Sequence, residues 1–155
     1  MHDLSDLLRP DAVLTGVAAP NKKMLLQLLG AAAAPVVGLT PRAIADRLAE
    51  RERLGSTGFG GGVAIPHAKL EGLDQVTAFF VRMAQPIDFE AVDDLPVDLV
   101  FLLLSPSDAG ADHLKALARV SRRLRDRTFL AKLRGAGSRD AVYALLATDE
   151  TRDAA

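Results

Sequence analysis

Two histidines and one arginine are the residues of this sequence whose types and spacing best support chemistry. His67 closes the run GSTGFGGGVAIPH (55–67), in which five of the first eight residues are glycine. His113 and Arg51 each continue an apolar stripe at helical spacing, an unusual place for a side chain that is merely solvated. Imidazole can attack phosphorus, a second imidazole can hydrogen-bond a phosphoryl oxygen, and a guanidinium adds a charge-assisted contact. The three side chains together favour phosphoryl chemistry.

Other kinds of site fit these residues less well. The glycine run lacks the Gly-x-Gly-x-x-Gly register, because Val63 stands where the third glycine is needed, and no Gly-Lys-Ser/Thr follows. The chain has no cysteine, and Ser56 lies in no Gly-x-Ser-x-Gly elbow. Two histidines without a His-Glu-x-x-His pattern are too few ligands for a metal. We therefore expect neither a metal nor a cofactor, while structural roles for the histidines stay open from the residues alone.

Composition limits the class of protein. The chain has 155 residues, 49% hydrophobic and 25% charged, which is typical of one globular domain with its own core. The net charge is −1 and aromatic residues make up 5%, so neither a polyanion-binding surface nor a base-stacking platform is expected. No signal-peptide pattern opens the sequence, and its apolar runs are too short to span a bilayer. We expect a soluble cytoplasmic protein that binds no nucleic acid and inserts into no membrane.

The elements that must position the site begin with a strand predicted over 13–18. A helix capped by Asn21 follows, which Pro35 and Gly38 are expected to break. Thr40 and the proline after it then start a second helix. This helix runs to about residue 54, so Arg51 lies on its apolar face close to the glycine run.

The second half of the chain predicts a sheet with further helices. Strands are predicted over 63–65, 75–84 and 97–104, and helices are predicted to end near residues 126, 133 and 147. His67 is expected at the end of the first of these strands, and His113 at the start of a helix that Asp108 or Asp112 caps. Alternation of helices and strands with short loops predicts an α/β fold, with a central sheet flanked by α-helices in a single domain.

A basic segment extends over 113–134. It carries eight lysines or arginines and one acid, Asp126. A solvated outer helix face is the ordinary interpretation of such a segment, and a docking patch is the alternative.

Three stretches of the chain resemble one known family. RERLGSTGFGGGVAIPHAKL (51–70) closely resembles the active-site signature of enzyme IIA domains in the mannitol/fructose-type branch of the bacterial phosphotransferase system. The likeness continues through PIDFEAVDDLPVDLVFLLL (86–104) and DHLKALARVSRRLRD (112–126), and the opening of the chain resembles the nitrogen-related subgroup. The resemblance implies an enzyme IIA domain over 1–150 with a mixed sheet flanked by helices, followed by a frayed tail over 151–155.

The resemblance also implies a role for each site residue. His67 matches the histidine that accepts a phosphoryl group on its Nε2 atom. His113 matches the second histidine, which stabilises the phosphoryl group or the transition state, and Arg51 matches the arginine beside the phosphoryl position. Gly61 stands where relatives often have Asn, His or Glu, and Ala68 where glycine often follows the histidine. We expect the first departure to remove a polar contact near the site and the second to stiffen the chain after the histidine.

The function implied is that of a phosphoryl-accepting regulatory protein without a cofactor. An HPr-type (NPr-like) phosphocarrier would phosphorylate His67, and the added charge would change the docking of partners such as a kinase or transporter. Within these 155 residues no stretch resembles a IIB or membrane IIC domain, and we therefore expect regulation rather than sugar uptake. The alternatives are a sugar-specific component that passes phosphoryl to a separate IIB, an adaptor indifferent to phosphorylation, and a small-molecule hydrolase. We expect a monomer or weak dimer.

Overall fold

Strands and helices alternate along residues 4–148, the part of the chain that the computed structural model describes. In chain order the elements are β1 (Leu8–Val17), α1 (Lys22–Val37), α2 (Pro41–Arg53), β2 (Gly58–Gly60), β3 (Val63–Ala64), β4 (His67–Leu70), β5 (Thr77–Ile87), β6 (Val97–Pro106), α3 (Ala111–Arg123), α4 (Arg127–Gly135) and α5 (Arg139–Ala147). The predicted α/β fold is confirmed. The tail predicted over 151–155 and both ends of the domain predicted over 1–150 lie outside the described residues.

The sheet is mixed and is built around β6. Within the described residues its order is β1-β5-β6-β3-β2, and β4 also pairs with β6. Strand β6 is antiparallel to β5 and parallel to both β3 and β4. Residues 99–105 of β6 are fully buried, as expected for a central strand covered on both faces. The near-continuous apolar run of the sequence is therefore the centre of the core.

Helices pack on this sheet and on one another. Helix α2 packs against both α1 and β4, and α3 packs against β6. The close approach of α1 to α2 depends on Gly30, because a Cβ atom there would lie 2.6 Å from the carbonyl oxygen of Pro41. Among the described residues, no helix has both the length and the apolarity that a membrane span requires. Packing of α1 on α2 therefore fixes the position of the last turn of α2, which contains Arg51.

Helices α1, α2 and α5 each begin with a side-chain cap, and two of these caps, Asn21 and Thr40, confirm the predicted helix starts. Asn21, Thr40 and Ser138 each accept a hydrogen bond from the backbone N–H three residues later, over 2.9, 3.1 and 3.1 Å. These contacts satisfy donors that the first turn of a helix leaves without partners. The starts of α1, α2 and α5 are thus set by local sequence.

Pro35 does not break α1, contrary to the prediction. The helix continues to Val37 and ends at Gly38, whose φ of 73° and N–H bond to the Ala34 carbonyl close the last turn. Pro35 lies within that last turn, where the lost backbone hydrogen bond is offset by burial of Ala33 and Ala34 in the core. Tertiary packing outweighs the local signal here.

The predicted aspartate cap of α3 is also wrong. Gly110, with φ 54°, precedes the helix, and no side chain caps it. The backbone makes the turn instead, since the N–H of Asp112 donates to the Ala109 carbonyl over 3.0 Å.

The first strand begins five residues earlier than predicted. Strand β1 starts at Leu8 and includes Pro10, which has no N–H to donate. Proline is tolerated there because β1 forms an edge of the sheet and its register with β5 shifts between Leu8 and Val13.

Candidate functional site

The three predicted site residues come from three different elements and lie together. Arg51 is in the last turn of α2, His67 is the first residue of β4, and His113 is in the first turn of α3. The Nε–H of Arg51 donates to Nε2 of His67 over 3.2 Å. The two imidazole rings lie with their centroids 5.7 Å apart, at an interplanar angle of 46°. The structure thus forms one site from residues that span 63 positions of the chain.

His67 begins a strand rather than ending one, which corrects the prediction. Strands β3 and β4 both pair with β6 in parallel, and Pro66 lies between them. The N–H of Leu103 donates to the Pro66 carbonyl over 3.0 Å, so β6 holds the chain on both sides of the proline. Strand β4 was not predicted, because its pairing partner lies 36 residues further along the chain. The imidazole is therefore anchored by the most buried strand of the core.

The hydrogen bonds of His67 define its tautomer. Its Nδ1 lies 2.8 Å from the carbonyl oxygen of Ile65, which can only accept, so Nδ1 carries the proton. In the neutral ring Nε2 then has a lone pair, which accepts from Arg51. Burial lowers the pKa of His67 below its ordinary value; the bond to Ile65 opposes this change, and the positive charge of Arg51 adds to it. Near neutral pH the ring accordingly presents an unprotonated Nε2.

His113 is almost fully buried beside His67. Its Nδ1 lies 2.6 Å from the Oγ atom of Ser105, which has no exposed surface. Burial lowers the pKa of His113, and the charges of His67 and Lys69 lower it further. Ser105 directly follows the strand predicted over 97–104, and no local signal marks it as a partner of a histidine.

Glu52 supports the glycine run from the neighbouring position of α2. Its carboxylate accepts from the N–H of Thr57 over 3.1 Å and from the Thr57 hydroxyl. Lys22 lies 2.9 Å from the same carboxylate, whose side chain is only 5% exposed. Arg51 itself donates from Nη1 to the Gly55 carbonyl over 3.0 Å. Glu52 was not predicted as a site residue, because its only signal in the sequence is its position just before the glycine run.

The glycine run is held by polar contacts rather than left loose. Arg134 donates to both carboxylate oxygens of Asp98 over 2.8 Å and to the Gly61 carbonyl over 2.7 Å. Asp93 accepts from the Gly61 N–H over 3.0 Å, a bond that lowers the pKa of Asp93. Gly62 has φ 82°, and a Cβ atom there would lie 2.5 Å from Arg134 Nη2. Both the positive φ and the nearby Arg134 side chain therefore favour glycine at position 62.

The two departures from the family pattern lie on either side of the histidine. Gly61 is exposed, and a Cβ there would meet Leu130 at 3.9 Å. Ala68 is buried in β4 opposite Leu104 of β6. The effects expected of both departures remain predictions.

The basic segment is partly structural. Arg119 pairs with Asp6 over 2.7 Å, and the guanidinium of Arg123 lies 3.7 Å from the ring centroid of Phe129. Several other basic side chains of the segment are exposed: Lys115, Arg122, Arg125, Arg127 and Lys132. The segment therefore combines internal contacts with a solvated face.

One cleft of the protein, about 1110 Å³ in volume, is lined by neither of the two site histidines. This cleft lies between the start of α1 and one side of α2, and it shares Lys22 and Glu52 with the site network. Over residues 4–148 no group of three or more His, Asp or Glu side chains could hold a metal ion. The site offers one nucleophilic nitrogen, a neighbouring imidazole and a guanidinium, which is the set needed for phosphoryl transfer to histidine.

Comparison with known proteins points to one family. Residues 6–149 match the family described as "Phosphoenolpyruvate-dependent sugar phosphotransferase system, EIIA 2". The chain is 50% identical over 144 residues to a nitrogen regulatory protein of Bradyrhizobium diazoefficiens, covering 93% of this chain and 94% of the relative. It is 38% identical over 148 residues to the nitrogen regulatory protein of Escherichia coli K12, covering 95% and 91%.

Solved structures agree with the sequence comparison. The crystal structure of nitrogen regulatory protein IIA-Ntr from Neisseria meningitidis superposes with a TM-score of 0.87 at 33% identity, covering 91% of this chain and 97% of that one. IIA mannitol from Escherichia coli superposes with a TM-score of 0.75 at 22% identity, covering 90% and 98%, and so supports the fold alone.

Proposed function

Because the chain belongs to the EIIA 2 family of the phosphoenolpyruvate-dependent sugar phosphotransferase system, and to its nitrogen-regulatory branch, we propose that it accepts a phosphoryl group on Nε2 of His67. The observation that carries the proposal is the state of that atom. Nδ1–H is bound to the Ile65 carbonyl, which leaves the lone pair of Nε2 directed at Arg51. A nucleophile already deprotonated at neutral pH needs no separate base.

The donor in this proposal is the phosphohistidine of an HPr-type carrier. The lone pair of Nε2 attacks phosphorus, a nitrogen–phosphorus bond forms on His67, and the bond to the carrier breaks with its electron pair staying on the carrier imidazole. The Nε–H of Arg51 now binds Nε2 itself, so it must transfer to a phosphoryl oxygen as the new bond forms. Arg51 thereby stabilises charge in the transition state, and His113, whose ring centroid lies 5.7 Å from that of His67, supplies a second donor.

Regulation follows from the charge that the phosphoryl group adds. A phosphoryl group brings about −1.5 to −2 charges to a surface that held a neutral imidazole. Two exposed leucines are close in sequence to site residues: Leu114 (65% exposed) directly follows His113, and Leu54 (83% exposed) lies three residues after Arg51. Exposed apolar side chains of this kind suit a docking surface. A partner such as a kinase or transporter that docks there would discriminate between the two states. A cytoplasmic location and a monomer or weak dimer are parts of the same proposal.

Intact mass spectrometry tests the acceptor. Wild type, His67→Ala and the matched control His2→Ala are incubated with phosphoenolpyruvate, enzyme I and the HPr-type carrier. We expect one acid-labile phosphate on wild type and on the control, and none on His67→Ala. Unlabelled wild type beside phosphorylated carrier, or a labelled His67→Ala protein, would overturn the proposal.

Three further measurements separate the alternative functions. Rapid passage of the label to the cysteine of an added IIB chain would identify a sugar-uptake component instead. Partner binding that is the same for unphosphorylated, phosphorylated and His67→Ala protein would identify an adaptor. Turnover with release of inorganic phosphate or another product, in place of stoichiometric label, would identify a hydrolase.

A further inference from the structure

Ser105 lies under the site, at the point where β6 passes beneath α3. It is the ninth residue of β6, and its backbone pairs with Lys69 in β4. Its side chain is completely buried, whereas the preceding six residues of β6 are all apolar. A hydroxyl group in such a place must satisfy its hydrogen bonds within the protein.

The hydrogen bond between Ser105 and His113 has a direction that can be inferred. Among the described residues, Nδ1 of His113, at 2.6 Å, is the one hydrogen-bond partner of the Ser105 hydroxyl oxygen. If Nδ1 carried a proton, the hydroxyl would accept it and its own hydrogen would be buried without an acceptor. If the hydroxyl donates to an unprotonated Nδ1, both groups are satisfied. The second arrangement is favoured.

Because His113 is neutral, the direction of this hydrogen bond decides which ring nitrogen carries the proton. Burial, together with the positive charges of its neighbours, lowers the pKa of His113, so the ring carries a single proton near neutral pH. With Nδ1 unprotonated, that proton lies on Nε2. An Nε2–H group can donate to a phosphoryl oxygen, whereas an Nε2 lone pair would repel it.

We propose that Ser105 is a positioning residue that holds His113 in the tautomer with the proton on Nε2, ready to donate toward the phosphoryl group on His67. The part that concerns phosphoryl transfer rests on the function proposed above, whereas the tautomer itself is a property of the unphosphorylated protein. The ring centroids of His67 and His113 lie 5.7 Å apart, which leaves the second ring beside the acceptor.

Nitrogen NMR of the unphosphorylated protein tests the tautomer without any carrier. The ring signals of His113 are assigned by comparison with His113→Gln, and Ser105→Ala is compared with Ser107→Ala, an exposed serine two residues away. We expect the proton on Nε2 in wild type and in Ser107→Ala, and a shift of population toward Nδ1–H in Ser105→Ala. A wild-type proton on Nδ1 overturns the proposal even if Ser105→Ala does not fold, and so does an unchanged tautomer in Ser105→Ala.

The rate of phosphorylation by the carrier tests the positioning role. Loss of one hydrogen bond predicts a decrease of about 2- to 10-fold for Ser105→Ala and no change for Ser107→Ala. A wild-type rate for Ser105→Ala together with an altered tautomer would overturn the positioning role. Unlabelled wild type would instead refute the function proposed above, and the tautomer measurement would stand by itself.

Discussion

Arg51 donates its Nε–H to Nε2 of His67 across 3.2 Å, so the cation of the site contacts the nitrogen that we propose as the phosphoryl acceptor. A guanidinium has no acceptor atom, and this contact therefore requires a lone pair on Nε2. The second donor, Nη1, binds the Gly55 carbonyl, which ties the same side chain to the start of the glycine run. Arg51 is consequently held in place before any partner arrives.

Replacement of Arg51 should slow phosphorylation even where positive charge is kept. Lysine in Arg51→Lys keeps the charge but cannot reach His67 and Gly55 at once with the fixed geometry of a guanidinium. We expect rates lower by about 10-fold for Arg51→Lys and about 100-fold for Arg51→Ala. The measurement is the initial rate at which acid-labile phosphate appears on each variant, with the phosphorylated carrier as donor. The exposed Arg53→Ala is the control, and equal rates for Arg51→Ala and this control would contradict the role.

The two site histidines should make the folded protein less stable at low pH. Both pKa values are lowered in the folded state, chiefly by burial, while the unfolded chain titrates near the ordinary value of 6.5. Between the lowered values and 6.5 the unfolded state binds more protons, so stability rises with pH there. The stability that comes from the two neutral histidines is fully present above pH 6.5. It is lost as the pH falls from there through the pKa values of the folded state.

Urea unfolding from pH 5 to pH 8 measures this dependence, and NMR titration of the ring signals reports the pKa values directly. His67→Gln and His113→Gln should each flatten the dependence. Arg51→Ala should raise the pKa of His67, because the positive charge of Arg51 lowers it. A midpoint for His67 above the ordinary value in wild type would contradict the proposed state of Nε2.

Local sequence predicted the features of this fold that depend on neighbouring residues. Cap residues such as Asn21 and Thr40 act within one helical turn, so their positions could be read directly. The helical spacing of Ile44, Leu48 and Arg51 also predicted that Arg51 lies on the inward face of α2. The structure agrees, since Ile44 and Leu48 are fully buried. Helical spacing depends only on neighbouring residues, so it identifies the buried face of a helix whatever that face packs against.

Contacts between distant residues could not be predicted in this way. Strand β4 exists because β6 offers an edge beyond β3, and nothing within residues 67–70 signals that pairing. Ser105 and Glu52 became site residues only when the fold brought His113 and Thr57 to them. The resemblance to a family supplied the roles of the histidines, whereas their supporting contacts required the structure.

Loss of Glu52 should destabilise both the fold and the site. Its carboxylate is 5% exposed and binds Lys22 and Thr57. Glu52→Ala therefore leaves the Thr57 N–H without its acceptor, and Lys22 keeps only the longer, 3.9 Å ion pair with the exposed Glu90. We expect the free energy of unfolding to fall by about 3–5 kcal/mol. Glu50→Ala is the control, because Glu50 is 55% exposed in a surface pair with Arg47, and its loss should change stability by about 0.5 kcal/mol or less. Equal effects in urea unfolding would show that the buried network is not stabilising.

Gly62→Ala tests whether the glycine run needs its backbone geometry or only flexibility. The residue has φ 82°, and a Cβ atom would lie 2.5 Å from Nη2 of Arg134 and 2.9 Å from Oδ1 of Asp98. Those two side chains bind each other through both carboxylate oxygens, so a Cβ atom that displaces one of them disturbs that pair. We expect a loss of about 1–3 kcal/mol from the backbone strain, with a further loss from the disturbed ion pair.

A control and a double variant separate these two causes. Gly135→Ala at the end of α4 meets no atom within 4 Å and should be neutral or stabilising by up to about 1 kcal/mol. If crowding against Arg134 adds to the strain, Arg134→Ala should reduce the cost of Gly62→Ala in a double-mutant cycle measured by urea unfolding. A cost that does not change in the cycle would assign the whole effect to the positive φ. Equal stability of Gly62→Ala and wild type would mean that this glycine serves only flexibility.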